Sequence, residues 1–310
     1  MFRRLELLRF FLAVAEAGGI RQASEIVHLS QSALTRRIQD LESDLGVVLF
    51  DRTSRGMTLT RPGEMLLHHA RQIDLACSYA TEEISELLEG AAGSMRVGGG
   101  PAWAYAILPD AIAALQAQFP KVHVELFAWL NDKTLPMLMA GKLDLVLGGL
   151  PPADERDADL VYEPLVEIEH LVFAGSRHPL AGTRAVSAHE LSHFAWVWFM
   201  ESTLSRVVVR AFFERAGLGP PNSAVDITAI ESGFRLLGKG DYLMLLPATL
   251  EAAARLHGLA VVPLQESVGT YPAGMIYRPS VERLKPFRAL RDILRHEVGT
   301  VAGATVIAPR

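Results

Sequence analysis

The sequence contains a single cysteine, Cys77, among 310 residues. One cysteine excludes an internal disulfide framework and a zinc site built from several thiolates. Long apolar runs are also absent, because no segment approaches the roughly 18 consecutive apolar residues of a membrane-spanning helix. Glu6, Arg9 and Glu16 interrupt any apolar core of a signal peptide near the start. These features predict a reduced, cytoplasmic protein.

Motifs for nucleotide binding and hydrolysis are equally scarce. Gly98-Gly99-Gly100 is not followed by the G-x-x-x-x-G-K pattern of a phosphate loop, and Trp103 breaks a G-x-G-x-x-G pattern. The G-x-S-x-G pattern of a nucleophile elbow does not occur. We therefore predict no catalytic residues and no cofactor.

One segment, His189-Glu190-Leu191-Ser192-His193, matches the H-E-x-x-H zinc pattern. Ser187 and Glu190 also form an S-x-x-E capping box, which explains the glutamate as a helix-start signal. The apolar run over 194–199 then predicts a strand, whereas a zinc protease needs this motif inside a longer helix. We predict no metal ligand here.

Charge is distributed unevenly along the chain. The net charge of −5 argues against a uniformly basic nucleic-acid binder. The stretch 1–60 nevertheless carries eight arginines against seven acidic side chains, so it is +1 and the remainder −6. A few well-placed arginines are enough to meet phosphate groups.

The N-terminal stretch 1–60 carries the periodicity of three helices and a short wing. The predicted elements are helices over 4–17, 20–28 and 31–45, followed by a hairpin over 47–60. Gly18 and Gly19 end the first helix, Ser30 is a suitable N-cap for the third, and Gly46 suits its C-terminal end. The whole stretch 1–60 is thus expected to form one domain.

A long helix is predicted over 61–90, with Thr60 as its cap. Apolar or small residues recur at steps of three and four, which is close to a heptad seam. The seam positions are Leu66, His69, Ile73, Ala76, Ala80, Ile84 and Leu87. Two interpretations remain open: pairing with the same helix of a second copy, or packing against its own chain. Cys77, beside the seam, is predicted to be packed rather than redox-active.

Beyond a linker at 91–94 the pattern changes to alternating strands and helices. This alternation predicts mostly parallel sheets covered by helices on both faces, in two α/β lobes. Helices are predicted over 105–119, 131–140 (capped by Asn131), 205–216, 228–237 and 281–296. The expected effector domain covers 94–310, with lobe I over about 94–163 and 268–300 and lobe II over about 164–267.

Residues 20–45 fit a helix–turn–helix, in which the second helix enters the major groove of DNA. Small Ala23 and Ser24 allow the two helices to approach closely, and Leu29 fills the turn. One face of the third helix is polar and suited to base edges and phosphates. The candidate DNA contacts there are Gln31, Ser32, Thr35, Arg36 and Gln39. An ordinary amphipathic helix in a three-helix bundle would show a similar division of faces.

The N-terminal stretch 1–63 resembles the LysR-type transcriptional regulators, a family of bacterial DNA-binding proteins. The residues that carry the resemblance are Phe10, Ala23-Ser24-Glu25, Leu29-Ser30-Gln31-Ser32-Ala33-Leu34-Thr35-Arg36, Ile38, Leu41-Glu42, Leu45-Gly46, Leu49-Phe50, Arg52, Arg55, Leu59-Thr60 and Gly63. A looser resemblance continues at Leu108-Pro109, Phe119-Pro120, Gly141-Lys142-Leu143-Asp144, His178-Pro179-Leu180 and Leu246-Pro247.

This resemblance implies an α plus α/β architecture. Its parts are an N-terminal winged helix–turn–helix, a long linker helix that dimerises, and a two-lobed effector domain like that of periplasmic binding proteins. Carried over, Arg52 and Arg55 match the wing of the family. The family often has proline where Ser32 stands, which bears on DNA specificity rather than on the fold.

The cleft at the carboxyl ends of strands is the expected effector site. The candidates are Gly100, Pro101, Ala102, Trp103, Trp129, Asn131, Gly149, Glu201, Ser202, Thr203 and Thr228. Family members often have a serine or threonine that binds a ligand carboxylate where this sequence has Ala102, which weakens the transfer of their aromatic carboxylate ligands. Trp103 and Trp129 suit an apolar or flat ligand, or else fill a lobe core.

The sequence therefore predicts a DNA-binding transcriptional regulator controlled by a small-molecule effector. The expected partners are promoter or operator DNA, an effector of unknown identity, a second copy or three further copies of the chain, and RNA polymerase. Effector binding is expected to shift lobe closure and so the spacing of the DNA-binding heads. Two alternatives stay open: an enzyme with an appended helix–turn–helix, and a DNA-binding protein that ignores small molecules.

Overall fold

The computed structural model describes residues 2–53, 56–89, 93–182, 184–199, 203–300 and 304–306. Arg55, Gly90, Glu201 and Ser202, which carry sequence predictions, lie outside this range. The chain divides into two compact units, Met1–Leu88 and Glu89–Arg310. Within the described residues, no helix combines the length and apolar character that crossing a membrane requires.

The first unit contains three short-to-medium helices, a two-stranded wing and one long helix. Its elements are α1 (Phe2–Ala17), α2 (Ile20–Ile26), α3 (Gln31–Leu45), β1 (Phe50–Thr53), β2 (Gly56–Leu59) and α4 (Arg61–Glu89). The Ser30 hydroxyl accepts the amide hydrogen of Ala33 and so caps α3. Gly46 ends α3 with φ +70°, a conformation that glycine adopts without steric cost. The predicted bounds of α3 are confirmed.

A single apolar core holds the first unit together. Leu34, Ile38 and Leu41 of α3 are buried against Phe11 of α1 and Phe50 of β1. The Phe11 and Phe50 ring centroids lie 5.3 Å apart. Because every third or fourth residue of α3 is buried here, its opposite face is left for solvent or a partner.

The second unit alternates strands and helices. Its elements are β3 (Ser94–Gly99), α5 (Pro101–Ala106), α6 (Leu108–Gln118), β4 (His123–Phe127), α7 (Asn131–Met139), β5 (Leu145–Gly149), β6 (Val161–Gly175), α8 (Ala188–Leu191), β7 (Ala195–Phe199), α9 (Thr203–Arg215), β8 (Ser223–Ile227), α10 (Ile230–Leu237), β9 (Tyr242–Pro247), α11 (Glu251–Leu256), β10 (Leu259–Val261), β11 (Thr270–Tyr277), α12 (Lys285–Glu297) and β12 (Ala304–Val306).

Strand β6 joins the two lobes of this unit. Its first part, Val161–Glu169, pairs with β11, and its second part, His170–Ala174, pairs with β9. The sheet order is β4-β3-β5-β11-β6-β9-β7-β8, and β10 and β12 also pair with β6. The outer strands of each lobe are parallel, as predicted, whereas the pairs made by β6 and β11 are antiparallel. The prediction of mostly parallel sheets is therefore wrong at the centre, where β6 runs through both lobes and β11 pairs with its first part.

Three predicted helices differ in detail. The helix predicted over 105–119 is two helices that meet at Ile107, because Pro109 lies in the first turn of α6 and lacks the N–H that a continuous helix would use. The helix predicted from residue 281 begins at Lys285, after a 3₁₀ turn. Asn131 is the first residue of α7 and not its cap.

Candidate functional site

The outer surface of α3 presents the predicted DNA contacts together. Gln31, Ser32, Arg36 and Gln39 are exposed, and Thr35 is half-buried. The Thr35 hydroxyl donates to the carbonyl of Gln31 at 2.7 Å, so only its oxygen lone pairs remain for a partner. The four exposed side chains offer hydrogen-bond donors and acceptors on one helix face, which is what reading base edges requires.

The turn before α3 is built tightly enough to fix the orientation of that face. Ser24 is buried and its hydroxyl donates to the carbonyl of Arg21 at 2.7 Å. His28 has a positive φ of 53°, which turns the chain sharply between α2 and α3. Leu29 packs against the core of the unit, as predicted.

The wing is attached directly to α3. A carboxylate oxygen of Glu42 accepts the amide hydrogen of Leu49 at 2.7 Å, which fixes the start of the wing. Arg52 lies in β1, opposite Met57 of β2. Gly63 permits the close approach of α4, because a Cβ there would lie 2.2 Å from the carbonyl oxygen of Leu49. Arg55, the other predicted wing contact, lies outside the described residues.

Helix α4 leaves most of its predicted seam exposed. Five of the seam positions are exposed: His69, Ile73, Ala76, Ala80 and Ile84. The exposed fractions of Ile73 and Ile84 are 39% and 57%, whereas Leu66 is half-buried against the core of the unit. Cys77 is also exposed, so the prediction that it is packed is wrong. The reason is that Cys77 borders an open groove between α1 and α4, beyond the buried contact at Ala70.

A cavity of about 110 Å³ lies in the second unit, at the ends of β3, β5 and β9. It is lined by Gly100, Pro101, Ala102, Trp103, Leu130, Asn131, Asp132, Gly148, Gly149, His170, Phe199, Leu245, Leu246, Pro247, Leu250 and Tyr271. Of the predicted effector contacts, six are brought together here: Gly100, Pro101, Ala102, Trp103, Asn131 and Gly149. The cavity thus collects segments that are far apart in the chain, from Gly100 to Tyr271.

Two cavity-lining side chains have buried nitrogen atoms without a partner. Trp103 is 2% exposed and His170 is 3% exposed. Neither the indole Nε1 of Trp103 nor the Nδ1 of His170 makes a hydrogen bond with any group in the described part of the chain. Burial lowers the pKa of His170 to about 4, and its ring stacks on Tyr271 with centroids 4.6 Å apart. Burial also raises the pKa of the Tyr271 hydroxyl.

Asn131 serves first to fix the cavity wall. Its amide nitrogen donates to the carbonyl of Gly149 at 2.6 Å, which ties α7 to the end of β5. Gly148 must be glycine for this approach, because a Cβ there would lie 2.0 Å from Oδ1 of Asn131. This bond also explains why Asn131 does not cap α7, since its side chain turns toward the neighbouring strand.

The other predicted effector contacts either do not line the cavity or lie outside the described residues. Trp129 is 46% exposed, packs on Phe127 at 5.3 Å and does not line the cavity, because β4 is an edge strand. Thr228 follows β8, the opposite edge strand, and is exposed. Thr203 begins α9, and Glu201 and Ser202 lie outside the described residues. Sequence reasoning missed His170, Phe199 and Tyr271. The pairing of β6 with β9 and β11 brings His170 and Tyr271 to the cavity, and Phe199 is the last residue of β7, which pairs with β9.

The H-E-x-x-H segment has a structural role. The Ser187 amide and hydroxyl donate to Oε2 of Glu190 at 2.9 and 2.8 Å, and Arg184 donates to Oε1 at 2.7 Å. These bonds lower the pKa of Glu190, the backbone bond from Ser187 most strongly. The predicted capping box and a helix start at Ala188 are confirmed. Among the described residues, no group of three His, Cys, Asp or Glu side chains is placed to hold a metal ion.

Comparison with known families matches both units. Residues 5–64 match the bacterial regulatory helix-turn-helix protein of the lysR family, and residues 88–299 match the LysR substrate binding domain. A probable nitrogen assimilation transcriptional activator from Synechococcus elongatus is 31% identical over 293 residues, covering 94% of each chain. The regulator PcaQ from Agrobacterium fabrum is 28% identical over 295 residues, again 94% of each chain.

Solved structures share the fold along most of the chain. A full-length OxyR variant from Pseudomonas aeruginosa has a TM-score of 0.68 at 20% identity and covers 98% of each chain. CbnR in complex with its target DNA has a TM-score of 0.61 at 23% identity, covering 94% of this chain and 99% of that one. The relatives named here are transcription regulators rather than enzymes, and the two family matches span most of the sequence. The chain therefore belongs to the LysR family of transcriptional regulators, with a helix–turn–helix unit and an effector-binding domain of two α/β lobes.

Proposed function

We propose that this regulator binds double-stranded promoter or operator DNA by inserting α3 into the major groove. Gln31, Thr35 and Arg36 read base edges, and Ser32 and Gln39 bind neighbouring bases or phosphates. Arg52 and Arg55 of the wing bind phosphates. The observation that carries this proposal is the division of α3 into a buried apolar face and an exposed polar face.

Fluorescence anisotropy with the duplex from upstream of its own gene tests this proposal, with a scrambled duplex as the control. We expect much tighter binding to the native duplex and a steep loss of affinity as salt rises, since phosphate contacts release counterions. Equal weak binding to this duplex, to the scrambled duplex and to every genomic fragment tried would contradict sequence-specific recognition.

We further propose that the active form is a homodimer or a homotetramer assembled through α4. The exposed Ile73 and Ile84 recur with small Ala76 and Ala80 on the same stripe, a pattern that favours contact with a partner helix. Ile73→Glu is expected to give monomers in sedimentation, because it places a charge in that contact. Glu64→Gln, at an exposed position of the first turn, is the control. A variant Ile73→Glu that sediments like the wild type would place the dimer contact elsewhere.

The regulator is proposed to act in the cytoplasm, where its effector binds the cavity and changes how RNA polymerase is engaged at the promoter. The cavity is lined from both lobes, since Trp103 belongs to the β3–α5 side and Phe199 to β7. A ligand there stabilises one arrangement of the lobes over another. A thermal-shift screen separates this proposal from an effector-independent DNA-binding protein, because only a bound ligand raises the melting temperature.

A further inference from the structure

The cavity carries almost no charge that would attract an anion. None of its lining residues within the described part of the chain is lysine or arginine, and the lining residue with a formal charge is the acidic Asp132. His170 is buried and neutral near pH 7. An anion that entered would lose its hydration without gaining a positive partner, which is unfavourable.

The helix ends at the cavity do not replace the missing cation. The first turn of α7 already contains Asp132, whose negative charge opposes a second anion at that helix end. Helix α5 has only six residues, and its first one, Pro101, has no amide hydrogen to donate. Ala102 offers no hydroxyl in the same turn.

The neutral polar side chains of the lining are Trp103, Asn131, His170 and Tyr271, and two of them, Trp103 and His170, have an unpaired nitrogen. The Trp103 indole N–H is a donor only, and the Nδ1 of a neutral His170 donates or accepts according to its tautomer. Both are buried without a hydrogen-bond partner among the described residues. A buried polar group left unpaired is destabilising, and such groups in native structures call for an explanation. A ligand that pairs with them supplies that explanation.

The rest of the lining is apolar or aromatic. Phe199, Leu245 and Leu250 contribute apolar surface, and the ring of Tyr271 stacks on His170. Such a wall favours a compact ligand with one flat or apolar part, and the volume of about 110 Å³ limits its size.

Resting on the proposed effector function, we propose that this site takes a small uncharged molecule, such as an amide, a ketone or a lactone, and discriminates against carboxylates. The carbonyl oxygen of the ligand accepts the Trp103 indole N–H. A second polar atom pairs with Nδ1 of His170, and the apolar part lies against Phe199 and Leu250.

The test compares matched pairs that have one skeleton and differ in charge: benzamide with benzoate, and nicotinamide with nicotinate. The full chain, labelled with ¹⁵N at its tryptophan indoles, is titrated at pH 7.5, and the Trp103 resonance is assigned from its loss in Trp103→Phe. We expect at least one amide to shift the Trp103 indole resonance and to bind about tenfold or more tightly than its carboxylate partner.

Trp103→Phe retains the ring and removes the donor, so it is expected to weaken amide binding about two- to tenfold, the worth of one hydrogen bond. Trp129→Phe, at an exposed position outside the cavity, is the matched control and is expected to bind the amide like the wild type. Melting temperatures of both variants without ligand verify that each is folded.

The results of these experiments test the ligand class separately from the proposed effector and DNA-binding functions. Carboxylates that bind as tightly as their amides, or a Trp103→Phe variant that binds like the wild type, would overturn the ligand class and leave effector binding intact. A lack of response to every amide also overturns the inferred class. Anisotropy on operator DNA with the same protein reports on DNA binding independently, so failure of that function is recognised by itself.

Discussion

The exposed face of α3 and the lining of the cavity use polar side chains in opposite ways. On α3, Gln31, Arg36 and Gln39 are exposed and remain hydrated until a partner arrives. In the cavity, Trp103 and His170 are already stripped of water, and each leaves a nitrogen unpaired. An exposed surface suits a charged polymer bound with many phosphate contacts, whereas a buried site distinguishes a small ligand by one or two hydrogen bonds.

Charge follows the same division. The stretch 1–60 is slightly basic, and the rest of the chain is acidic. The lining of the cavity contains no lysine or arginine in the part of the chain that the structure describes. The whole unit Met1–Leu88 nevertheless carries 10 arginines and 12 acidic side chains, a net charge of −2, and residues 89–310 carry −3. The contrast in charge therefore belongs to the two candidate surfaces and not to the two units.

The largest effect is expected from Phe11→Ala in the core of the first unit. Phe11 is fully buried against Phe50, and loss of such a ring costs roughly 3–5 kcal/mol. All four tryptophans lie in the second unit, so tryptophan fluorescence reports on that unit alone. In urea we expect circular dichroism to show early loss of helix while the fluorescence transition is unchanged. Leu45→Ala, at a position 48% exposed, is the control.

The second unit is expected to lose stability in acid through His170. Its pKa of about 4 lies below the ordinary value near 6.5, so the unfolded chain binds a proton at a pH where the folded chain does not. Stability is complete above pH 6.5 and falls as the pH drops toward 4, by about 3 kcal/mol. Tryptophan-monitored unfolding between pH 7.5 and 4.5 measures this loss.

His170→Phe keeps the stacking on Tyr271 and removes the titrating group. Part of the acid dependence is expected to remain, because burial also lowers the pKa of His178. An unchanged slope of stability against pH in His170→Phe would contradict the assignment to His170.

Arg36→Ala is expected to weaken the free energy of DNA binding by roughly 1–3 kcal/mol and to relax the preference for particular bases. The reason is that an arginine that contacts a base edge discriminates between bases. Arg52→Ala is the comparison: it is expected to weaken all duplexes alike and to reduce the salt slope by about one unit. Anisotropy with operator variants measures both. Unchanged discrimination in Arg36→Ala would remove that residue from base recognition.

The smallest effect is expected at the cap of α3. Ser30→Ala removes the acceptor for the Ala33 amide and is expected to destabilise the first unit by about 1 kcal/mol. Ser78→Ala is the control, since the Ser78 hydroxyl only donates to the carbonyl of Asp74 inside α4. Equal urea midpoints for the two variants, monitored by circular dichroism, would show that the cap contributes little.

Local sequence was sufficient for the first unit because its signals are short-range. Ser30 and Gly46 mark both ends of α3, and the spacing of Leu34, Ile38 and Leu41 identifies the buried face. Four of the predicted DNA contacts, Gln31, Ser32, Arg36 and Gln39, are among the exposed residues that remain, so periodicity and side-chain chemistry together led to the candidate surface.

Only part of the cavity lining could be predicted from the sequence, because its residues come from segments that are far apart in the chain. Gly100, Trp103 and Asn131 follow strand ends, where a parallel α/β arrangement places ligand contacts, and were found from that rule. His170 and Tyr271 come from strands that pair antiparallel across the junction of the lobes, which no local pattern encodes. Trp129 and Thr228 do not line the cavity, because each follows a strand at an edge of the sheet.

The sequence by itself determined the helix–turn–helix, the capping of its recognition helix, and the presence of alternating strands and helices after residue 93. Each of these depends on residues a few positions apart. The tertiary structure alone decided that β6 serves both lobes and that His170 and Trp103 line the same cavity. The physical reason is that long-range strand pairing is selected by the packing of the whole core, which local periodicity does not specify.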